Sequence, residues 1–307
     1  MKKIAIVGAG AMGSLFAAGL TGAGCEVTLI DVDRTRIELL NRQGLIYEHA
    51  GGDSRIAVRA MLAAECRGPV DLVLMLTKGM HTRKAALSVA HLAGPSCWAL
   101  TLQNGIGNAE ALADVFGADH VLLGATDYPA DLKAPNRIAT HGSGTVWIGA
   151  YAGAPWPAVQ EATDLFGMAF AAVAEPQIKV KVWEKLAFNA ALNALAAITR
   201  LTVGALDEPA GRRIAFAAVD EVVATAAASG LPLDRARIAD KIENALRHHR
   251  DHKASMLQDL LAGRPTEIET INGAVVAVAQ REGLGAPVNA VLADLVRLLE
   301  GTTAVWP

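Results

Sequence analysis

Cysteine is scarce in this chain: Cys25, Cys66 and Cys97 are the only three in 307 residues. An odd number with no CxxC spacing argues against a disulfide framework and a cysteine zinc site, and a reducing cytoplasm is the compartment expected. Excess positive charge is also missing. Lys and Arg number 28 against 31 Asp and Glu, a formal net charge of −3, so no nucleic-acid partner is expected, because such a protein carries a basic excess or stripe. No window of about 18 unbroken apolar residues occurs, which leaves no candidate membrane span and no expected membrane partner. Neither GxSxG nor HExxH is present, against a serine hydrolase or a zincin. Internal repeats and low-complexity tracts are absent too.

What the chain has is aliphatic bulk. Hydrophobic residues make up 52% and charged residues 19%, a composition that folds. The length exceeds one ordinary core and suits two domains. Met1-Lys2-Lys3 followed by Ile4–Val7 superficially resembles the front of a signal peptide, but Gly8, Gly10 and Gly13 break the apolar run and a strand–turn–helix pattern continues through it.

Two textures follow one another. Up to about Glu175, short apolar runs (Ile4–Val7, Val27–Ile30, Val70–Leu76, Trp98–Leu102, Val121–Gly124 and Val146–Ile148) alternate with helical stretches. Such runs read mostly as buried parallel strands of βαβ units. Arg137–Gly149, with Gly142, Ser143 and Gly144 inside it, reads as a hairpin. From about Lys179 strand signals stop. Lys181–Arg200, Gly211–Ser229, Asp234–Ala262, Thr266–Glu282 and Val288–Glu300 all carry helical spacing. With Glu175-Pro176 as a hinge, the expected division is residues 1–176, a doubly wound dinucleotide-binding α/β domain, and residues 177–307, an all-helical substrate and catalytic domain.

Gly8-Ala9-Gly10-Ala11-Met12-Gly13 is a GxGxxG between the strand at Lys3–Val7 and a helix over Met12–Gly22. In that context the first glycine makes the turn, the second admits a pyrophosphate and the third packs the helix onto the strand, with the helix N-terminus facing the phosphates. Asp31 ends the second strand, where an acid hydrogen-bonds the ribose hydroxyls of NAD. A helix N-cap ahead of Arg34–Leu40 is the structural alternative for it. The acid favours NAD; Arg34, close in sequence, keeps NADP open. Lys78 and Asn104-Gly105 follow the runs ending at Leu76 and Leu102, at the carboxyl edge of the sheet, where open α/β folds bind ligands; a surface lysine and an ordinary Asn-Gly turn are the structural alternatives.

In the helical half, Lys185, Asn189 and Asn193 lie four apart on a stretch otherwise nearly all Ala, Leu, Phe and Trp. They share one helix face, and buried asparagines cost free energy unless partnered. A polar stripe there points to a polar ligand or to a buried network, and a partly desolvated lysine is a usable acid near neutral pH. Thr266 and Glu269 have capping-box spacing, and Glu267 in the first turn is favoured by the helix dipole alone. His248 and His252, with His249 between them, lack a third ligand and read as a solvated face.

Taken together the residues resemble the ketopantoate reductase (2-dehydropantoate 2-reductase) family along nearly the whole chain. The resemblance rests on Gly8–Gly13, Lys78, Gln103-Asn104-Gly105-Ile106-Gly107-Asn108, His141–Gly149, Trp183–Asn189, Ser255–Asp259 and Gly263–Gly273. It implies a Rossmann-type domain followed by a helical domain like the C-terminal domain of 6-phosphogluconate dehydrogenase, with the active site in the cleft between them. It also implies that Lys185 protonates the substrate carbonyl oxygen, that Glu267 binds the substrate hydroxyl and positions the lysine, and that Asn104 lies near the nicotinamide and the carbonyl. Lys78 becomes a residue of the cofactor and substrate cleft, and Asn189, Asn193 and Ser255 become substrate-binding residues, with Ser255 facing the carboxylate.

The chain departs from the family where many members carry an arginine just after the second strand; Asp31-Val32 stands there instead, against the usual NADP preference. Asn193-Ala-Leu-Ala replaces the common Asn-Pro-Leu-Thr, and Pro129-Ala130 replaces a usual Gly-Ala. The expected reaction is reduction of 2-dehydropantoate to pantoate in pantothenate and coenzyme A synthesis, with NAD favoured over NADP and no metal. The Ala-rich helices suit a homodimer. The alternatives are an NAD-dependent D-2-hydroxy acid dehydrogenase acting on another bulky 2-oxo acid and, more remotely, a non-catalytic nicotinamide-binding sensor.

Overall fold

The chain opens with β1 (Lys3–Val7), α1 (Ala11–Gly22), β2 (Glu26–Ile30) and α2 (Arg34–Gln43), followed by β3 (Leu45–His49), β4 (Gly52–Ile56) and β5 (Arg59–Met61). Then come β6 (Leu72–Met75), α3 (Thr82–Ser88), β7 (Trp98–Thr101), α4 (Asn108–Phe116) and β8 (Val121–Thr126). The first half ends with β9 (Asp131–Ala134), β10 (Arg137–Ala139), β11 (Val146–Ala150), α5 (Trp156–Gly167) and β12 (Ala172–Ala174). These elements belong to a computed structural model that describes residues 1–49, 51–140, 142–248 and 250–301. The chain divides into two compact units: Met1–Gln103 with Asn108–Ile178, and Asn104–Gly107 with the chain from Lys179 onward.

Among the described residues of the first unit, eight strands form one sheet in the order β12-β11-β8-β7-β6-β1-β2-β5. The six from β5 to β8 pair in parallel, and β11 runs antiparallel to β8. On β1, Ile4 and Ile6 enter one apolar cluster while Ala5 and Val7 enter another. A strand buried on both faces must be apolar at every position, which is why these strands read as continuous runs rather than alternating ones. β2 and β6 flank β1, so successive connections leave it in opposite directions, and the crevice at that reversal is where such folds bind ligands. Phe16 of α1 meets Phe166 of α5 and Phe170 edge-on at 5.3 and 5.0 Å, each contact adding about 0.5–1.5 kcal/mol beyond burial. The start of α1 is thereby fixed over the switch point.

The expected hairpin over Arg137–Gly149 does not form, although His141 lies outside the described residues. β10 pairs with β9 and β3 in a second sheet, of order β4-β3-β10-β9. β11 instead lies against β8 over the register Val146↔Thr126 to Ala150↔Leu122. Val146 and Ile148 are fully buried there, a covering that an exposed hairpin does not offer. Arg137 ties the small sheet together by pairing with Glu48 and, at 2.8 Å, with Asp53.

The second unit is helical: α6 (Ile178–Thr199), α7 (Pro209–Ala228), α8 (Arg235–His248), α9 (Ser255–Leu261), α10 (Asn272–Arg281) and α11 (Pro287–Gly301). α6 is buried nearly all round from Leu186 to Ala197, the signature of a central helix. A buried polar chain ties its neighbours to it. Asn272 donates to the Ala190 carbonyl (3.1 Å) and to Asn289 Oδ1 (3.0 Å). Asn289 in turn donates to the Ala218 carbonyl and to Glu221.

Two expected helices are shorter than their sequence patterns. Asp234–Ala262 breaks after His248 because the carbonyls of Arg250 and His252 accept from Gly204 (3.0 Å) and Val203 (2.9 Å) instead of continuing a helix. His248 and His252 therefore do not share a helix, and His249 lies outside the described residues. No group of three or more metal-binding side chains occurs among the described residues. Thr266–Glu282 becomes helical only from Asn272; before it the ladder is irregular, the Thr270 N–H reaching back three residues to the Glu267 carbonyl and the Gly273 N–H five residues to the Ile268 carbonyl. The Thr266–Glu269 capping box is not made either. Thr266 Oγ1 accepts from Ile268 N (3.2 Å), and Glu269 is held by Arg297. Among the described residues no helix is long and apolar enough to cross a membrane.

Candidate active site

In the first unit the Gly8–Gly13 loop joins β1 to α1. At Gly13 a Cβ would stand 1.9 Å from the Gly8 carbonyl oxygen, so only glycine lets α1 start this close to β1. At Gly10 a Cβ would meet nothing within 4 Å. Among the described residues nothing fills that space, so the backbone there is open to the approach of a ligand. No side chain caps α1 and its first turn holds no acid, so the N–H groups and positive pole of the helix remain for an anion. Ala9 completes the turn, and Ala11 and Met12 open the helix. These features fit the pyrophosphate of a dinucleotide.

Asp31 is not the N-cap of α2. That place belongs to Asp33, whose carboxylate accepts from Arg36 N at 3.1 Å. Asp31 Oδ2 instead accepts the Ala9 N–H at 2.8 Å, and its Oδ1 accepts from Val32 N (2.7 Å) and Asp33 N (3.1 Å). The carboxylate is thus fixed by main chain beside the glycine loop, a position that fits an acid able to hydrogen-bond a ribose. The neighbouring Val32 is 91% exposed and brings no cation to this point. Arg34 is likewise exposed.

Lys78 is half-buried just beyond β6. A buried network that sequence reasoning missed sets the chain there. Gln103 Nε2 donates to the Thr77 carbonyl (2.6 Å) and to Thr82 Oγ1 (2.8 Å), while Thr82 donates to Asn108 Oδ1 (2.8 Å). Thr101 Oγ1 donates to Gln103 Oε1 at 2.9 Å. The signal was there in two threonines and a glutamine directly after apolar strands, where a buried polar side chain needs a partner.

In the second unit Lys185, Asn189 and Asn193 do share one face of α6, spaced by about 6 Å of helix rise. Lys185 is half-buried, whereas Asn189 and Asn193 are 8% and 5% exposed. Asn193 Nδ2 reaches Ser255 Oγ at 3.4 Å, at the exposed first residue of α9. The Nδ2 of Asn189 is buried with no hydrogen-bond partner. An amide left unsatisfied inside a protein is costly, and a ligand acceptor at this position would remove the cost.

Asn104–Gly107 packs with this helical unit. Ile106 N donates to the Thr270 carbonyl at 3.0 Å, and at Gly105 a Cβ would come within 2.2 Å of that same oxygen. The close approach brings Asn104 Nδ2 to Glu267 Oε2 at 3.3 Å. Glu267 is buried. It sits in the turn before α10, so the helix dipole does not account for it. The structure therefore brings together Asn104 with Glu267, and Asn193 with Ser255.

Comparison with known proteins bears on this arrangement. Residues 4–153 match the family described as Ketopantoate reductase PanE/ApbA, and residues 177–300 match its C-terminal domain. The chain belongs to the ketopantoate reductase family. It is 34% identical to the 2-dehydropantoate 2-reductase of Halobacterium salinarum over 307 residues, covering 97% of this chain and 99% of the relative. It is also 34% identical to that of Pyrococcus horikoshii over 302 residues, covering 97% of each. Among solved structures, a ketopantoate reductase of Ralstonia eutropha superposes with a TM-score of 0.88 at 30% identity, covering 97% of this chain and 98% of that one. A ternary complex of D-mandelate dehydrogenase with NADH and anilino(oxo)acetate superposes with a TM-score of 0.93 at 28% identity, covering 97% and 98%. This ketopantoate reductase family member is accordingly an oxidoreductase with a Rossmann-type domain followed by a helical one.

Proposed function

We propose that this protein reduces 2-dehydropantoate to pantoate with a reduced nicotinamide dinucleotide, a step toward pantothenate and coenzyme A, in the cytoplasm. The observation that carries the reading is the face of α6, where Lys185 precedes a buried Asn189 whose Nδ2 has no partner. When bound, the nicotinamide supplies a hydride to the 2-oxo carbon. The ammonium of Lys185 gives its proton to the carbonyl oxygen as that oxygen gains charge, and a group placed in advance at the developing charge supplies most of the rate.

Glu267 accepts the substrate's hydroxyl, while Asn104 restrains its carboxylate. Asn189, Asn193 and Ser255 hold the 2-oxo acid end, and Lys78 adds a positive charge for the carboxylate or the cofactor. The α1 N-terminus and Gly10 receive the pyrophosphate, and Asp31 reads the ribose. Its negative charge opposes a 2′-phosphate, so NAD is the preferred form.

One observation favours a second substrate. D-mandelate dehydrogenase, solved with NADH, is among the similar structures, and an aryl 2-oxo acid would use the same lysine. A steady-state assay crossing NADH and NADPH with 2-dehydropantoate and with aryl and branched 2-oxo acids separates the two. Preferential turnover of 2-dehydropantoate is expected; preference for an aryl 2-oxo acid would move the protein out of coenzyme A synthesis.

A further inference from the structure

Arg36 is the third residue of α2. Side chains on a helix lean toward its N-terminus, so this one runs back toward the end of β2, where Asp31 holds the glycine loop. It lies four residues before the fully buried Leu40, on the packed side of the helix, and is itself half-buried. Its Nε and Nη2 are buried and have no hydrogen-bond partner. The nearby carboxylates do not fill the gap. Asp31 is engaged by the N–H groups of Ala9, Val32 and Asp33, and Asp33 by the N–H of Arg36 itself. Burial lowers the affinity of the guanidinium for its proton, opposed by the charges of Asp31 and Asp33.

A guanidinium in this condition is costly in the free protein, since its planar fork is built to donate several hydrogen bonds at once. Buried donors without a partner call for an explanation, and a ligand that binds there supplies one. The partner's character follows from the surroundings. Two carboxylates beside the cation disfavour a doubly charged phosphate, and a neutral group rich in acceptors suits the vacant donors. Asp31 already marks this place as the ribose end of a dinucleotide.

We propose that Arg36 forms the adenosine subsite together with Asp31, its Nε and Nη2 donating to acceptor atoms of the adenosine ribose or purine. This rests on the nicotinamide-dinucleotide reading above and adds to it a residue that governs affinity for the adenosine half. The division of labour is then between an acceptor, Asp31, for the ribose hydroxyl protons, and a donor, Arg36, for the lone pairs. Arg34, nearer to Asp31 in sequence, is exposed and takes no part.

The test is calorimetric titration of wild type, Arg36→Met and Arg36→Lys with NADH, NADPH, ADP-ribose and reduced nicotinamide mononucleotide, together with KM and kcat and the melting temperature of the free proteins. Loss of a charge-assisted bond should raise Kd for NADH and ADP-ribose roughly tenfold or more in Arg36→Met. Arg36→Lys should fall between, and binding of reduced nicotinamide mononucleotide should stay put. In turnover the change should fall on KM for the dinucleotide rather than on kcat. Free Arg36→Met should melt no lower than wild type, because it loses an unpaired buried cation; a structural arginine would do the opposite.

Unchanged Kd for both NADH and ADP-ribose in Arg36→Met would overturn the inference and leave the cofactor reading standing. A wild type that binds neither dinucleotide would overturn both. If wild type prefers NADPH, the NAD preference falls, and Arg36 is judged by the same tenfold criterion on NADPH.

Discussion

At Gly8–Gly13 the groups offered to a ligand are main-chain N–H groups and empty space, and even the acid beside them, Asp31, is fixed by main-chain donors. In the helical unit the groups offered are side chains: Lys185, Asn189 and Asn193 on α6 with Ser255 against Asn193, and Glu267 against Asn104. Each construction suits its task. A cofactor common to many enzymes is gripped through backbone geometry, which barely depends on neighbouring side chains. On the proposed function, a particular substrate and a proton transfer need particular side-chain chemistry.

Breaking the backbone half should have the largest effect. Gly13→Val places carbon against the Gly8 carbonyl, and overpacking of this kind, a few kcal/mol, should weaken NADH binding on the order of 100-fold. Fluorescence titration checks this, with circular dichroism to monitor the fold. The side-chain half should break differently. Asn189→Leu removes a donor that has no partner in the free protein, so its melting temperature should hold. Its KM for the 2-oxo acid should rise roughly 10- to 100-fold, as expected for a lost bond to a charged group. A fall in stability without a change in KM would mark Asn189 as structural.

How far each half could be read from sequence follows the same division. The glycine spacing and the runs around it announce the cofactor loop, because a main-chain site needs glycine at fixed places. The Lys185–Asn189–Asn193 stripe is legible because polar residues on an apolar helix demand explanation. Glu267 and Ser255 were not legible from chemistry alone. Ser255 opens a helix that replaces a longer helical pattern, a break set where the N–H groups of Val203 and Gly204 donate to the His252 and Arg250 carbonyls. Glu267 lies in the turn before α10 rather than in a helix. The small sheet escaped for a related reason: Arg137–Ala139 looks equally extended whether it pairs with β9 and β3 or with β11.

Smaller effects sharpen the comparison. Gln103→Leu strips partners from Thr77, Thr82 and Thr101, which should cost about 1–3 kcal/mol of stability and lower NADH affinity less than tenfold. Urea melts with a cofactor titration would show both. Smallest are two acids at the surface. Asp71 is held below the usual carboxylate range by the N–H groups of Lys2 and Lys3, and Glu269 by the Arg297 guanidinium. Both folded-state values are depressed, so each contributes stability above its unfolded pKa that is lost as pH falls through the folded one. Melts between pH 6 and roughly pH 2 should lose part of that slope in Asp71→Asn and in Glu269→Gln. Raising the salt should shrink the Glu269 share more than the Asp71 share, because a partly exposed ion pair is screened while Asp71 is held first by main-chain N–H groups.

The division of labour itself is tested most directly by Lys185→Ala, read for NADH affinity and for kcat with 2-dehydropantoate in the same preparation. Unchanged NADH affinity with kcat lowered by on the order of 100-fold or more is the predicted result. Turnover near that of the wild type would contradict it.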